Sequence, residues 1–177
     1  MRVIDGFLDA REDALRSEFA DFDAPDGETY RRVCIKEVPG LREAIERAVG
    51  PVDMLGMGYR LNYAGELPNT AIHSDLGWGT HAAVVYLCDG PGGTAFWRHK
   101  ATGAERIDHG DGELLAQVQG DWDRPDRWHM TGLAEMKLGR GVIYESALFH
   151  SRWPFEAFGD SPETGRLIAV AFFNPRH

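Results

Sequence analysis

A change of texture near residue 54 constrains this chain more than any other feature. Before it, apolar residues fall at helical spacing; after it, they fall in short extended runs broken by glycine-rich turns. In the first part, Val3-Ile4 and Phe7-Leu8 make a short extended piece. Asp9 followed by Glu12 is a helix-start pattern, and Ala14, Leu15, Phe19 and Phe22 continue it at helical spacing. A second helix is expected over about 39–49, with Leu41, Ile45 and Ala48 on one side and Gly50-Pro51 as its stop. Beyond residue 54, strands are predicted over 57–63, 71–75, 81–88, 94–99, 141–150 and 166–173, with Asp89-Gly90-Pro91-Gly92-Gly93 as a turn. Helices confined to one end and many short strands elsewhere predict a mainly β domain with N-terminal helices, folded as a curled antiparallel sandwich or jelly roll.

The expected layout is a single domain: helical support over 1–52 and a jelly-roll core over 53–177, carrying an insertion at 100–139. Within that insertion, 111–119 reads as a short helix and the tryptophan-bearing stretch 121–128 as a polar loop. The insertion is either a lid at the mouth of a barrel or a surface decoration.

Charge and composition remove several function classes. Against 19 Lys and Arg stand 28 Asp and Glu, a net charge of −9, and such a surface repels nucleic acid. No apolar run approaches the roughly 20 residues needed to span a bilayer. The first residues lack the apolar segment of a secretion signal. Cys34 and Cys88 lie outside any CxxC spacing and read as buried thiols in a reducing compartment. These features predict a soluble cytoplasmic protein with neither nucleic-acid nor membrane partners, and they leave its oligomeric state open.

Chemistry concentrates in His73-Ser74-Asp75, with His150 and Arg166 far downstream. On a strand, residues i and i+2 share a face, so His73 and Asp75 can point together into a barrel. A second imidazole from His150 would complete two histidines and one carboxylate, the facial set that suits non-heme Fe(II) and leaves coordination positions open. Tyr144, Ser146, Leu148 and His150 share one face of the predicted 141–150 strand. On the last strand Arg166, Ile168, Val170 and Phe172 share the interior face. A cation there needs an anion, since a buried unpaired charge costs several kcal/mol. That anion is either a ligand carboxylate or a protein carboxylate such as Glu145 or Glu113.

With these residues in view, the stretch from Tyr63 through Asn174 resembles the Fe(II)/2-oxoglutarate-dependent dioxygenases, in particular their prolyl-4-hydroxylase-like branch. The matching order is Tyr63, the HxD of His73 and Asp75, the VVYLC strand with Tyr86, a Gly-Gly turn, His150, and Arg166 in GRLIAVAFFN. The resemblance implies a double-stranded β-helix of the jelly-roll, cupin-like type. It implies His73, Asp75 and His150 as Fe(II) ligands and 2-oxoglutarate as cosubstrate. Arg166 and Tyr86 would hold the distal carboxylate, with Tyr63 also touching the cosubstrate. The implied activity is hydroxylation, or a related oxidation, of a C–H bond in an amino-acid, peptide or small-metabolite substrate. One departure is the gap of 16 positions between His150 and Arg166, longer than usual in that family and filled by WPFEAFGDSPETG.

A narrower resemblance, to an uncharacterised family of short bacterial proteins with a GGTxFxRHxxTG signature, is carried by Gly92, Gly93, Thr94, Phe96, Arg98, His99, Thr102 and Gly103. Arg98, His99 and Thr102 either contact substrate or brace a hairpin. His81 reads as a core histidine, His109 and His129 as solvated, with a substrate-side acid or base as the other reading of His129. Trp78 and Trp153, just past the two ligand segments, are candidates for the site entrance. Two other functions fit the same residues. One is a cupin-like metal enzyme that does not use 2-oxoglutarate, with Arg166 gripping an acidic substrate. The other is a non-catalytic jelly-roll binding module.

Overall fold

Two antiparallel sheets face each other across the cavity that holds the candidate site. The computed structural model describes residues 1–9, 33–64, 72–161 and 163–176. The larger sheet has the order β1-β7-β4-β9-β3-β2, from β1 (Arg2–Ile4), β2 (Val33–Cys34), β3 (Val52–Asn62), β4 (His81–Tyr86), β7 (Gly141–Glu145) and β9 (Arg166–Pro175). The smaller sheet has the order β6-β5-β8, from β5 (Gly93–His99), β6 (Trp128–Glu135) and β8 (His150–Trp153). This is the jelly roll expected from the strand pattern. The helix expected after Asp9 lies outside the described residues.

Helix α1 (Leu41–Val49) buries Leu41, Ala44 and Ile45 and ends at Gly50. Helix α2 (Gly112–Gln119) begins where the Asp111 carboxylate accepts from the Leu114 N–H, a side-chain cap for an otherwise orphan donor. The stretch 100–139 is not wholly an insertion, because β6 within it pairs with β5 along its length.

Three strand predictions need correction. The predicted 141–150 strand is two strands: β7 ends at Glu145, and the chain turns over 146–149 to begin β8 in the other sheet. The HxD segment is not a strand. His73 makes one isolated bridge with His150, and Asp75 leads into a short 3-10 turn, Leu76–Trp78, with φ −104 and ψ 26. β3 extends over 11 residues from Val52, with a bulge between Met54 and Gly56.

The Gly-Gly turn has a steric cause. Gly92 has φ 79, and a side chain there would meet the Trp153 carbonyl; one at Gly93 would meet the Ala134 carbonyl. The two glycines let β5 sit close to both flanking strands. A second apolar cluster, behind the smaller sheet, collects Trp97, Trp128, Phe149, Trp122 and Trp153. Four of the five tryptophans are therefore core pieces. Trp153 packs on Trp97 and Phe155, away from the entrance.

Candidate metal centre

Strand register sets out the cavity wall in rows. On β9 the residues Arg166, Ile168, Val170 and Phe172 all line it, as the alternation predicts. Phe172 lies beside Ala82, and Ala82 beside Tyr144, at one end. Asn62 lies beside Arg166 at the other. The smaller sheet runs in parallel order: Phe96 beside His150, then Thr94 beside Arg152. The cavity they line has a volume of about 290 Å³.

His73, Asp75 and His150 meet at the first end, though a turn and two backbone anchors bring them there. His73 and His150 exchange N–H···O bonds of 2.9 Å, and the Asp75 N–H donates to the Ser146 carbonyl at 2.8 Å. Asp75 Oδ2 lies 3.1 Å from His150 Nε2, and Oδ1 lies 3.6 Å from His73 Nε2. One nitrogen or oxygen from each of the three falls within 4.8 Å of the others; among the described residues no other group does this.

Hydrogen bonding orients the set. His150 Nδ1–H donates to the Leu148 carbonyl at 2.9 Å, which leaves a lone pair on Nε2. The Tyr144 hydroxyl, 3.2 Å away, donates to that nitrogen. In the neutral ring that lone pair faces the Asp75 carboxylate at 3.1 Å, and the two repel unless a proton or a metal ion lies between them. Burial works to raise the Asp75 carboxyl, but the His150 contact and the charges of His150, His73 and Arg60 outweigh it, so the group stays below its ordinary range. This donor set suits a divalent cation with nitrogen and oxygen ligands.

At the opposite end Arg166 is 5% exposed, its Nε is buried without a hydrogen-bond partner, and its Cζ lies 5.7 Å from the centre of the Tyr86 ring. Burial, with Arg152 and Arg60 nearby, pulls its pKa down to about 10, against the upward pull of Tyr86 and Cys88. Neither suggested protein anion reaches it. Glu145 pairs with Arg106 at 2.6 Å, and Glu113 is exposed on α2. A buried guanidinium with an orphan N–H fits a carboxylate brought by a ligand.

Tyr86 and Tyr63 do not line the cavity. The Tyr86 hydroxyl donates to the Ala134 carbonyl at 2.8 Å and bonds Thr94 Oγ1 at 2.9 Å. Tyr63 packs beside Gly165, at the start of β9. The cavity also recruits Tyr144, Arg60, Arg152 and Asn62, none of which the sequence reading assigned to a site. Tyr144 had a signal, since it shares the predicted face with His150. Arg152 follows His150 at i+2. Arg60 and Asn62 had none, because their place depends on pairing with a strand over 100 residues away.

His99 is a brace. It is buried, with Nδ1 3.0 Å from Thr102 Oγ1 and Nε2 3.0 Å from Asp121 Oδ2, and its ring lies against Trp128. Arg98 faces Glu105 at the surface. His81 bonds Thr80 and stacks on Phe173, and His109 and His129 are exposed. Trp78, 56% exposed, stacks on Phe172 at the cavity mouth.

Residues 70–173, well over half of the chain, match a family described as a family of unknown function, DUF6445. The chain belongs to DUF6445. No curated protein matches it in sequence. Solved structures do match this DUF6445 member in fold. One is the non-heme alpha-ketoglutarate-dependent epimerase SnoN from nogalamycin biosynthesis, with a TM-score of 0.59 and 18% identity over 97% of this chain and 76% of that one. A Pseudomonas putida prolyl-4-hydroxylase matches at 0.52 and 20% identity, over 99% and 92%. Iron-bound HygX from Streptomyces hygroscopicus matches at 0.55 and 14% identity, over 98% and 81%. These neighbours include Fe/2-oxoglutarate oxygenases, and at such identities they establish the shared jelly-roll fold. Among the described residues no helix is long and apolar enough to cross a membrane.

Proposed function

We propose that this protein is an Fe(II)/2-oxoglutarate-dependent oxygenase acting on a small-molecule or peptide substrate. The observation that carries the reading is the set His73, Asp75 and His150, whose imidazole and carboxylate atoms converge within 4.8 Å of one another beside the cavity. Arg166, sharing the same cavity, is the second support.

In this reading His73, Asp75 and His150 hold the iron, which with 2-oxoglutarate and oxygen supplies the power to oxidise a C–H bond. The protein's own work is positional. Leu148 fixes the His150 ring through its carbonyl, and Ser146 fixes Asp75. Arg166 receives the distal carboxylate, with Thr94 at its side of the cavity. Tyr86 acts from behind, its ring against Arg166 and its hydroxyl tying Thr94 to the Ala134 carbonyl. Tyr63 supports the start of β9. The apolar wall of Ile168, Val170 and Phe172 limits water around the reacting atoms.

The test is anaerobic. Fe(II) protein mixed with 2-oxoglutarate should develop a weak visible charge-transfer band, and admitting oxygen should release succinate. Stoichiometric metal without that band would favour the cupin-like enzyme in which Arg166 grips substrate directly. Absence of stoichiometric metal would favour a binding module.

A further inference from the structure

One flank of the cavity is not needed by the metal set or by Arg166. Beside Val170 and Phe172, the inner face of β3 carries Gly58 and Gly56. A side chain at Gly56 would meet nothing within 4 Å, so the wall is open there. At Gly58 the Cys34 carbonyl and Ile35 come so close that a side chain would collide with them, so the β2 end folds over this flank. Of the six large apolar side chains that stand exposed among the described residues, three lie at or beside this opening. Ile35 and Trp78 line the cavity, and Leu55, next to Gly56 in the chain, lies against Gly79, next to Trp78. Exposed apolar side chains scattered singly need no explanation, whereas a group of them rimming a cavity marks a binding surface. The result is a trough with a glycine floor and an apolar rim.

We propose that this trough seats the oxidised substrate and selects a small molecule with a planar apolar ring, Trp78 and Gly56 being the residues that set this specificity. The inference rests on the Fe(II)/2-oxoglutarate reading above. Three arguments support it. Trp78 stacks on Phe172 with ring centres 5.7 Å apart and planes 27° from parallel, yet stands 56% exposed, so a planar ring can extend the stack. Trp78 and Asp75 belong to one turn, closed by the Trp78 N–H donating to the Asp75 carbonyl at 3.0 Å, so a ring held on the tryptophan lies one turn from the metal set. The third argument is size. At about 290 Å³ the cavity falls just below the roughly 300–1,000 Å³ of small-ligand pockets, and it must also hold the cosubstrate, which leaves room for one compact ring-bearing molecule.

The probes are 3-phenylpropan-1-ol and its saturated counterpart, 3-cyclohexylpropan-1-ol, titrated by calorimetry into anaerobic full-length protein saturated with Fe(II) and 2-oxoglutarate. The saturated alcohol is the more apolar of the two, so burial alone would favour it. The planar one should nevertheless bind about fivefold tighter, the size of one aromatic pair. Trp78→Leu should remove that preference, and Trp78→Phe, which keeps a flat face, should restore most of it. Gly56→Leu, which fills the open floor, should weaken both probes by about tenfold and tests the trough independently of Trp78. The charge-transfer band, recorded for each protein before titration, separates loss at the trough from loss at the metal or cosubstrate. Equal binding of the two alcohols would overturn the proposal, as would a preference that survives Trp78→Leu or affinities untouched by Gly56→Leu. A peptide probe, acetyl-Gly-Phe-Gly-amide, binding more tightly than the planar alcohol would overturn the choice of a small molecule. Failure of both alcohols to bind a protein that does form the band would overturn the proposal while leaving the oxygenase reading standing. Failure of the band in wild type would remove that reading first, and this one with it.

Discussion

The two shortest histidine–aspartate contacts among the described residues have opposite fates. His99 and Asp121, 3.0 Å apart, form a closed unit: Thr102 takes the other ring nitrogen, Trp128 covers the ring, and nothing remains to bind a ligand. His150 and Asp75, 3.1 Å apart, form an open one. There a backbone carbonyl takes one nitrogen, a third donor from His73 arrives alongside, and a cavity lies in front. Proximity of imidazole to carboxylate is thus no evidence of a metal site. What separates the two is a third ligand atom, from His73, and an open cavity in front of the pair.

The largest effects should come from cutting each pair. Asp75→Ala is expected to abolish stoichiometric Fe(II) binding, measured by metal analysis after desalting, and succinate release with it. His99→Ala should keep the metal yet lose about 2–3 kcal/mol in denaturant unfolding, as expected for emptying a buried, hydrogen-bonded position. If His99→Ala lost iron while remaining folded, the contrast between closed and open pairs would be wrong.

Next in size is Arg166→Leu. Removing a buried charge that meets a ligand carboxylate should weaken 2-oxoglutarate binding by about thirtyfold or more with little change in metal content. The same substitution has a second, less intuitive consequence. Without ligand, Arg166 holds an orphan Nε in a buried position beside two other arginines. Replacing such a charge with an apolar side chain is often neutral or stabilising by about 1–4 kcal/mol. Ligand-free Arg166→Leu should therefore melt no lower than wild type, and 2-oxoglutarate should raise the melting temperature of wild type alone. A strong loss of stability in the ligand-free variant would mean that Arg166 is a structural cation.

Tyr144→Phe sharpens the open pair further. Its hydroxyl donates to the same His150 nitrogen that a metal would take. Metal binding must displace that bond, worth about 1 kcal/mol net, so the variant should bind Fe(II) as well as wild type or up to about fivefold more tightly. A loss of affinity in a metal titration would instead make the hydroxyl a support for the ligand set.

The same contrast explains what the sequence could and could not disclose. Alternation along β9 placed Arg166, Ile168, Val170 and Phe172 on one inner face, because face choice is a local property of a strand. The three ligand candidates stood out by residue type and order. The route by which they meet was not legible. A strand was expected at 71–75, yet Asp75 is set by the Ser146 carbonyl and a 3-10 turn, which depend on a segment 71 residues later. Tyr86 illustrates a different limit. Its position matched a cosubstrate contact, but the fate of its hydroxyl depends on the approach of Thr94 and Ala134 from the other sheet. His99 was ambiguous for the same reason: Asp121, not its sequence neighbours, decides that it is a brace.

A third acid–base partnership, at the surface, gives the smallest effect. Asp5, at the end of β1, bonds Arg140 and Lys137 on the turn before β7. The Arg140 hydrogen bond, with Lys137, lowers its pKa from 3.8 to about 2. A carboxyl lowered on folding contributes stability that is present above its unfolded value and is lost as pH falls through its folded one. That contribution should therefore be full at neutral pH and vanish between 3.8 and about 2. Because Asp5 is exposed and Arg140 only half-buried, the contribution is small and screened by salt. Asp5→Asn should lower the melting temperature slightly at neutral pH and low salt, and the difference from wild type should close both with added salt and on acidification. A difference that persists in high salt would show that Asp5 holds β1 by hydrogen-bond geometry and not by charge, so that even an exposed carboxylate here behaves like the closed pair.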